Sequence, residues 1–86
     1  MGNLEQGLQR VGLIGIFVDD KDCFLKVQEL ITEYSQYILG RAGFNLPEVT
    51  VIVLIFKGTT DDIGSFTGKM GKINGVQVRT LLKKTI

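Results

Sequence analysis

Two stretches of the chain are apolar at nearly every position, and together they predict the centre of a β-sheet. Residues 51–56 are six consecutive apolar side chains, four of them β-branched, inside a longer predicted strand at 49–57. Residues 10–18 form a second apolar run. Alternate strand residues point to opposite faces. The 49–57 strand thus has two apolar faces, with Val51, Val53 and Ile55 on one and Ile52, Leu54 and Phe56 on the other.

Two weaker strands are predicted at 37–44 and 76–82, where polar side chains interrupt the apolar ones. Arg41 lies within the first, and Gln77 and Arg79 lie within the second. Polar interruptions of this kind are typical of edge strands. The segment 45–48, which contains Pro47, predicts a hairpin turn, and Asn74-Gly75 predicts another turn.

Two helices are predicted between these strands, each opened by acidic residues that suit a helix N-terminus. The first covers about 21–35 and the second ends at about residue 71. Each has one apolar stripe at helical spacing. The stripes consist of Cys23, Val27, Leu30, Ile31 and Tyr34 in the first helix, and Ile63, Phe66, Met70 and Ile73 in the second.

The element order βαββαβ predicts an α+β, ferredoxin-like fold: an antiparallel four-stranded sheet with two helices on one face. Residues 10–86 are expected to form this single domain, after a flexible extension at 1–9. The other sheet face is apolar in both central strands, so we expect a second copy to cover it, in a homodimer or a tetramer. Within the first strand, Gly12 and Gly15 are interpreted as sites of close backbone approach or twist.

Glycines are placed unusually in the second predicted helix. Gly64, Gly68 and Gly71 share an arc roughly 150° away from the apolar stripe. Each glycine costs about 0.8–1 kcal/mol relative to alanine in a helix interior. One interpretation is a smooth surface for a partner backbone or small ligand, and the other is a partly unwound helix.

The start of that helix and one edge-strand arginine complete the candidate ligand or interface residues. Thr59, Thr60 and Asp61 could hold an anion at a helix N-terminus. The adjacent acids Asp61 and Asp62 favour capping instead, because they already occupy the positive end of the dipole. Arg41 could bind a carboxylate through two hydrogen bonds or form an intersubunit salt bridge.

Composition argues against catalysis and against several kinds of partner. The 86 residues carry a net charge of +1, with no histidine and a single cysteine. We therefore predict no catalytic residues, no metal site and no cofactor; Cys23 lies on an apolar stripe, which favours a buried role. Direct nucleic-acid binding is not expected, since the strand at 49–57 lacks the stacking aromatics of RNA-recognition folds. No segment is long enough to span a membrane, and a cytoplasmic location is expected.

Several glycine-containing segments resemble the iron-only hydrogenase system regulator family. These segments are VGLIGI at 11–16, ILGRAG at 38–43, GTTDDIG at 58–64, TGKMG at 67–71 and Gly75-Val76. The family is similar to ACT domains and to the C-terminal domain of the nickel-responsive repressor. The resemblance implies an ACT-like, homo-oligomeric regulator, in this case a transcriptional regulator linked to iron-only hydrogenase, but it carries over no ligand. The uncovered apolar sheet face and the glycine-rich second helix lead us to expect that the chain senses a small effector or binds a partner; the alternative is an assembly subunit without a ligand. The repressor's metal-binding histidines and its DNA-binding arm have no counterpart in this chain.

Overall fold

The computed structural model describes residues 8–84 as one sheet with two helices. Seven residues of the predicted extension at 1–9 therefore lie outside the described part. The elements in chain order are β1 (Arg10–Val18), a 3₁₀ turn (Lys21–Cys23), α1 (Phe24–Glu33), a second 3₁₀ turn (Ser35–Tyr37), β2 (Ile38–Asn45), β3 (Thr50–Gly58), α2 (Thr60–Gly71) and β4 (Val76–Leu82).

The sheet has the order β2-β3-β1-β4, and all neighbouring strands are antiparallel. The two apolar runs are therefore the central strands, and the polar-interrupted strands are the edges, as predicted. This arrangement confirms the α+β, ferredoxin-like fold.

Both helices pack on the side of the sheet to which the even-numbered residues of β1 and β3 point. Ile14, Ile52 and Leu54 are fully or almost fully buried there. The predicted apolar stripes of both helices meet them, and Phe56 and Phe66 lie 5.4 Å apart between ring centroids. We call this side the covered face.

The other side of the sheet, which we call the open face, has no cover from the described chain and is mostly apolar. Leu81 and Phe44 are 69% and 56% exposed on it. Strand register places fourteen residues on this face: Val11, Leu13, Gly15, Phe17, Gly40, Ala42, Phe44, Val51, Val53, Ile55, Lys57, Gln77, Arg79 and Leu81.

The first helix differs in detail from the single predicted segment at 21–35. The Asp20 carboxylate accepts a hydrogen bond of 2.9 Å from the Asp22 backbone N–H, which starts a 3₁₀ turn rather than an α-helix. Tyr34, with φ −103° and ψ 18°, then leaves the helical conformation. The second 3₁₀ turn carries the chain from there into β2.

Gly75 and Gly15 lie in opposite environments, one crowded and the other open. Gly75 has φ +83°, and a Cβ atom there would lie 2.8 Å from Asp20 Cβ, so the turn before β4 requires glycine. A Cβ at Gly15 would meet nothing within 4 Å. Of the two interpretations of Gly15, close backbone approach is therefore wrong, since this residue faces the space above the open face.

Candidate functional site

The predicted cap at the start of α2 is formed by Thr59 and Asp62. Thr59 Oγ1 accepts a 3.1 Å hydrogen bond from the Asp62 N–H, and Asp62 Oδ2 accepts a 3.0 Å bond from the Thr59 N–H. This capping box satisfies the helix N-terminus within the chain. Thr60 and Asp61 are exposed beside it.

The glycines of α2 form a smooth outer surface. The helix is continuous from Thr60 to Gly71, so partial unwinding does not explain them. A Cβ atom at Gly64 or Gly68 would meet nothing within 4 Å, whereas one at Gly71 would lie 3.6 Å from Val78 Cγ1. Two of the three predicted glycines therefore face open space, on the side of α2 away from its buried residues.

Arg41 belongs to a different part of the fold from the candidate residues of α2. It is paired with Leu54 across the sheet, on the covered side of edge strand β2. Its guanidinium donates a 2.5 Å hydrogen bond to Gln28 Oε1 of α1. The predicted residues thus fall into two sets, one along α2 and the other between β2 and α1.

A polar cluster links the two helices at their outer edge, and sequence reasoning did not find it. Tyr34 Oη and Ser65 Oγ share a 2.6 Å hydrogen bond, and Lys69 Nζ lies 3.2 Å from Glu33 Oε2 and 5.2 Å from the Tyr34 ring centroid. The hydrogen bond with Ser65, followed by that with Lys69, lowers the pKa of the Tyr34 phenol. Hydrogen bonds with Tyr34 and Glu33 raise the pKa of Lys69. The cluster ties α1 to α2 across the helix layer.

The open face has a depression at its centre that sequence reasoning also missed. Gly15 is paired with Val53 on one side and with Arg79 on the other, and Ala42 follows beyond Val53. The cavity above Gly15 has a volume of about 320 Å³. Its walls include Leu13, Phe17 and Leu81. Only the strand register brings Gly15 beside Arg79, so local sequence patterns carry no signal for this cavity.

Cys23 is buried, and its Sγ donates a 2.9 Å hydrogen bond to the Asp20 backbone carbonyl. Within residues 8–84, no group of three or more cysteine, aspartate or glutamate side chains is arranged to hold a metal ion. The helices of that same segment are all too short or too polar to cross a membrane.

Comparisons with known proteins agree with the family resemblance. Residues 10–80 match the TM1266-like family, described as "Iron-only hydrogenase system regulator, putative". The solved structure of uncharacterized protein TM1266 from Thermotoga maritima superimposes with a TM-score of 0.85 at 34% identity, covering 90% of this chain and 100% of that one. No curated protein matches the chain. The chain therefore belongs to the TM1266-like family of iron-only hydrogenase system regulators.

Proposed function

We propose that this protein is a non-catalytic, cytoplasmic regulatory module that works as a homodimer or tetramer, with two copies packed through their open faces. The observation that carries the proposal is the uncovered apolar side of the sheet. Large apolar side chains that cover a contiguous patch on a small domain are typical of interaction surfaces. The family description supports the regulatory role and gives no catalytic one.

The size of the open face bears on how tightly two copies would associate. Four strands spaced about 4.8 Å apart, over seven residues of about 3.3 Å each, give a flat area of roughly 440 Å² per copy. Two copies together contribute roughly 900 Å² of flat area, which is a lower bound on the accessible surface that they would bury, because protruding side chains add to it. The open face is therefore large enough for two copies to associate.

The candidate residues along α2 provide a second surface in this proposal. Thr59, Thr60 and Asp61 at the helix start continue into the outer side formed by Gly64, Gly68 and Gly71. Because glycines allow close approach of another backbone, this side would contact an additional copy in a tetramer, or a regulated protein. Arg41, which lies between β2 and α1 and not on α2, would pair with a carboxylate of a ligand or of another subunit.

The oligomer is tested by replacing one of two phenylalanines of nearly equal exposure. Phe17 is 39% exposed on the open face, and Phe24 is 37% exposed at the start of α1. We expect wild-type protein to show a multiple of 9.5 kDa in light scattering. Phe17→Lys should reduce it to the monomer mass, because association would then bury a further cation, in addition to Arg79 and Lys57, without a partner.

Phe24→Lys is the matched control and should leave the oligomer intact. Circular dichroism must show that both variants remain folded. A wild-type monomer at micromolar concentration would contradict the proposal, as would equal dissociation by the two variants.

An assembly subunit without a ligand is the second candidate function, favoured by the same open face. The two differ in small-molecule binding: a regulatory module that senses an effector gains thermal stability from it, whereas an assembly subunit is stabilised only by its protein partner. A thermal-shift screen with amino acids and nucleotides, repeated with Arg41→Ala, separates them. Saturable stabilisation of the wild type supports a regulator that senses an effector, and its loss in Arg41→Ala would place the effector at Arg41.

A further inference from the structure

The cavity on the open face, which we call the groove, is lined by β3, β1 and β4, and the order of large and small side chains across the strands shapes it. The central row consists of Ala42, Val53, Gly15 and Arg79, one residue from each strand. Its first three members have small side chains, and at Gly15 there is none. The row is flanked on one side by Phe44, Val51, Phe17 and Gln77, and on the other by Gly40, Ile55, Leu13 and Leu81.

The dimensions of the groove suit an elongated small molecule. Two strand spacings separate Val53 from Arg79, the members of the row at either end of the cavity, which is about 10 Å. An extended hydrocarbon chain of about eight carbon atoms fits this length. The 320 Å³ cavity above Gly15 lies at the low end of small-molecule sites. Floor and walls are apolar except at the Arg79 end.

Charge identifies which end group the molecule would have. Arg79 Nη1 donates a 3.0 Å hydrogen bond to the Val78 carbonyl, and the guanidinium has four further N–H groups. None of the fourteen open-face residues is acidic, and the one salt bridge among the described residues joins Lys69 to Glu33 in the helix layer. An anion at the end of the groove would complement Arg79.

A second copy by itself does not supply that anion. Each copy brings Arg79 and Lys57 to the open face, and the described part of the face brings no carboxylate in return. Covering Arg79 without a counter-charge would weaken the association that the apolar residues favour, since burying an unpaired charge is destabilising. A bound anion removes this obstacle.

We propose that the groove binds a small carboxylate with an unbranched apolar body, its carboxylate paired with Arg79 and its chain lying over Gly15 and Val53. This inference rests on the proposed function in taking the chain as an effector-binding regulator. The carboxylate of the ligand matches the one cation at the end of the groove, and its apolar chain matches the otherwise apolar floor.

The probe is sodium octanoate, titrated into the full chain and followed by calorimetry and by amide chemical shifts. We expect saturable binding, with shift changes concentrated in β1 and β4 rather than in the helices. Octylammonium, which has the same chain and the opposite charge, should bind at least about 10-fold more weakly. Equal binding of the two compounds would overturn the proposal.

Two substitutions locate the site. Arg79→Gln should weaken octanoate binding by about 10-fold or more, because it removes the charged donor. Gly15→Leu should abolish binding by filling the cavity, and the empty space at Gly15 leaves room for the leucine without loss of fold. Retained octanoate affinity in either variant would refute the site.

The control variants change the same kinds of residue elsewhere. Gly43→Leu adds a leucine to β2 on the other side of the sheet, where the nearest heavy atom to a Cβ is 4.0 Å away. Lys72→Gln removes a cation from the helix layer. Both should bind octanoate like the wild type, and loss of binding in both would mean that the effect is not specific to the groove.

Failure of this inference is distinguishable from failure of the proposed oligomer. Light scattering without octanoate reports the oligomer alone, whereas the Arg79→Gln comparison reports the groove alone. A monomeric chain that binds octanoate through Arg79 would support the groove and contradict the homo-oligomer. An oligomer that does not bind octanoate would support the homo-oligomer and contradict the groove.

Discussion

The two faces of the sheet are built from the same strands but have different surroundings. In β3, Leu54 is fully buried beneath the helices, whereas the next residue, Ile55, is 36% exposed on the open face. The local sequence is equally apolar on both sides. The difference comes from the connections: both crossovers place their helices on one side, and the described chain leaves the other side bare. Apolar composition by itself therefore does not identify the core of this domain.

The largest expected effect comes from truncating a side chain on each face in turn. Leu54→Ala should lower the free energy of unfolding by about 2–5 kcal/mol, because it leaves a cavity in a packed core. Ile55→Ala should lower it by less than about 1.5 kcal/mol in dilute protein, since a partly exposed side chain loses less buried area. Urea denaturation measures both.

Protein concentration sharpens this comparison of the two faces. If copies pack through the open face, the loss of unfolding free energy caused by Ile55→Ala should grow with protein concentration. Most of the loss caused by Leu54→Ala should not depend on protein concentration. Equal losses for the two variants in dilute protein would contradict the division into a covered and an open face.

The outer side of α2 provides a smaller test, because it is also uncovered but has no apolar side chains to bury. Gly64→Ala combined with Gly68→Ala should raise the free energy of unfolding by roughly 1.5–2 kcal/mol, since both positions are helical and open. Thermal denaturation measures the gain. Gly75→Ala is the control and should destabilise, because its φ is +83°.

A gain in stability accompanied by weaker oligomerisation or effector binding would indicate that these glycines are kept for contact. Destabilisation by the double alanine variant would show that the outer side of α2 is not open in the folded protein.

The smallest effect concerns the cluster that joins the helices above the covered face. Ser65→Ala should raise the pKa of Tyr34 toward its usual value of about 10, because the serine hydroxyl no longer donates to the phenolate. Absorbance titration of the phenol measures the shift, with Ser35→Ala as the control. An unchanged Tyr34 titration would mean that the Ser65 contact is absent.

The stability of the protein should follow pH with opposite signs for the two groups. Since the pKa of Tyr34 is lowered on folding, its contribution is present above the unfolded pKa and is lost as pH falls through the folded one. The contribution of Lys69, whose pKa is raised, is lost as pH rises through its folded value. The phenol titration is therefore a more direct measure than a pH-stability curve.

Much of the fold was predictable because its determinants are local. Residue alternation separated Ile52, Leu54 and Phe56 from Val51, Val53 and Ile55, and helical spacing placed the glycines of α2 opposite Phe66. The cap at Thr59 was also predictable, since a hydroxyl followed by an acid three residues later satisfies the first N–H groups of a helix. Each of these patterns lies within about a dozen residues of sequence.

The candidate site was less predictable because it depends on contacts between distant segments. Arg41 could be assigned to an edge strand, but its bond to Gln28 depends on where α1 lies. The Tyr34–Ser65 bond likewise depends on the packing of the two helices.

By itself, the sequence determined the order of the elements, the two apolar faces of each central strand and the position of the glycines on α2. Only the tertiary structure decided which face the helices cover and that Gly15 stands beside Arg79 in a groove. The physical reason is that side-chain alternation is a local property of each strand. The choice of covered face depends on how the crossovers pack, and a row across the sheet depends on the register between strands that are far apart in the chain.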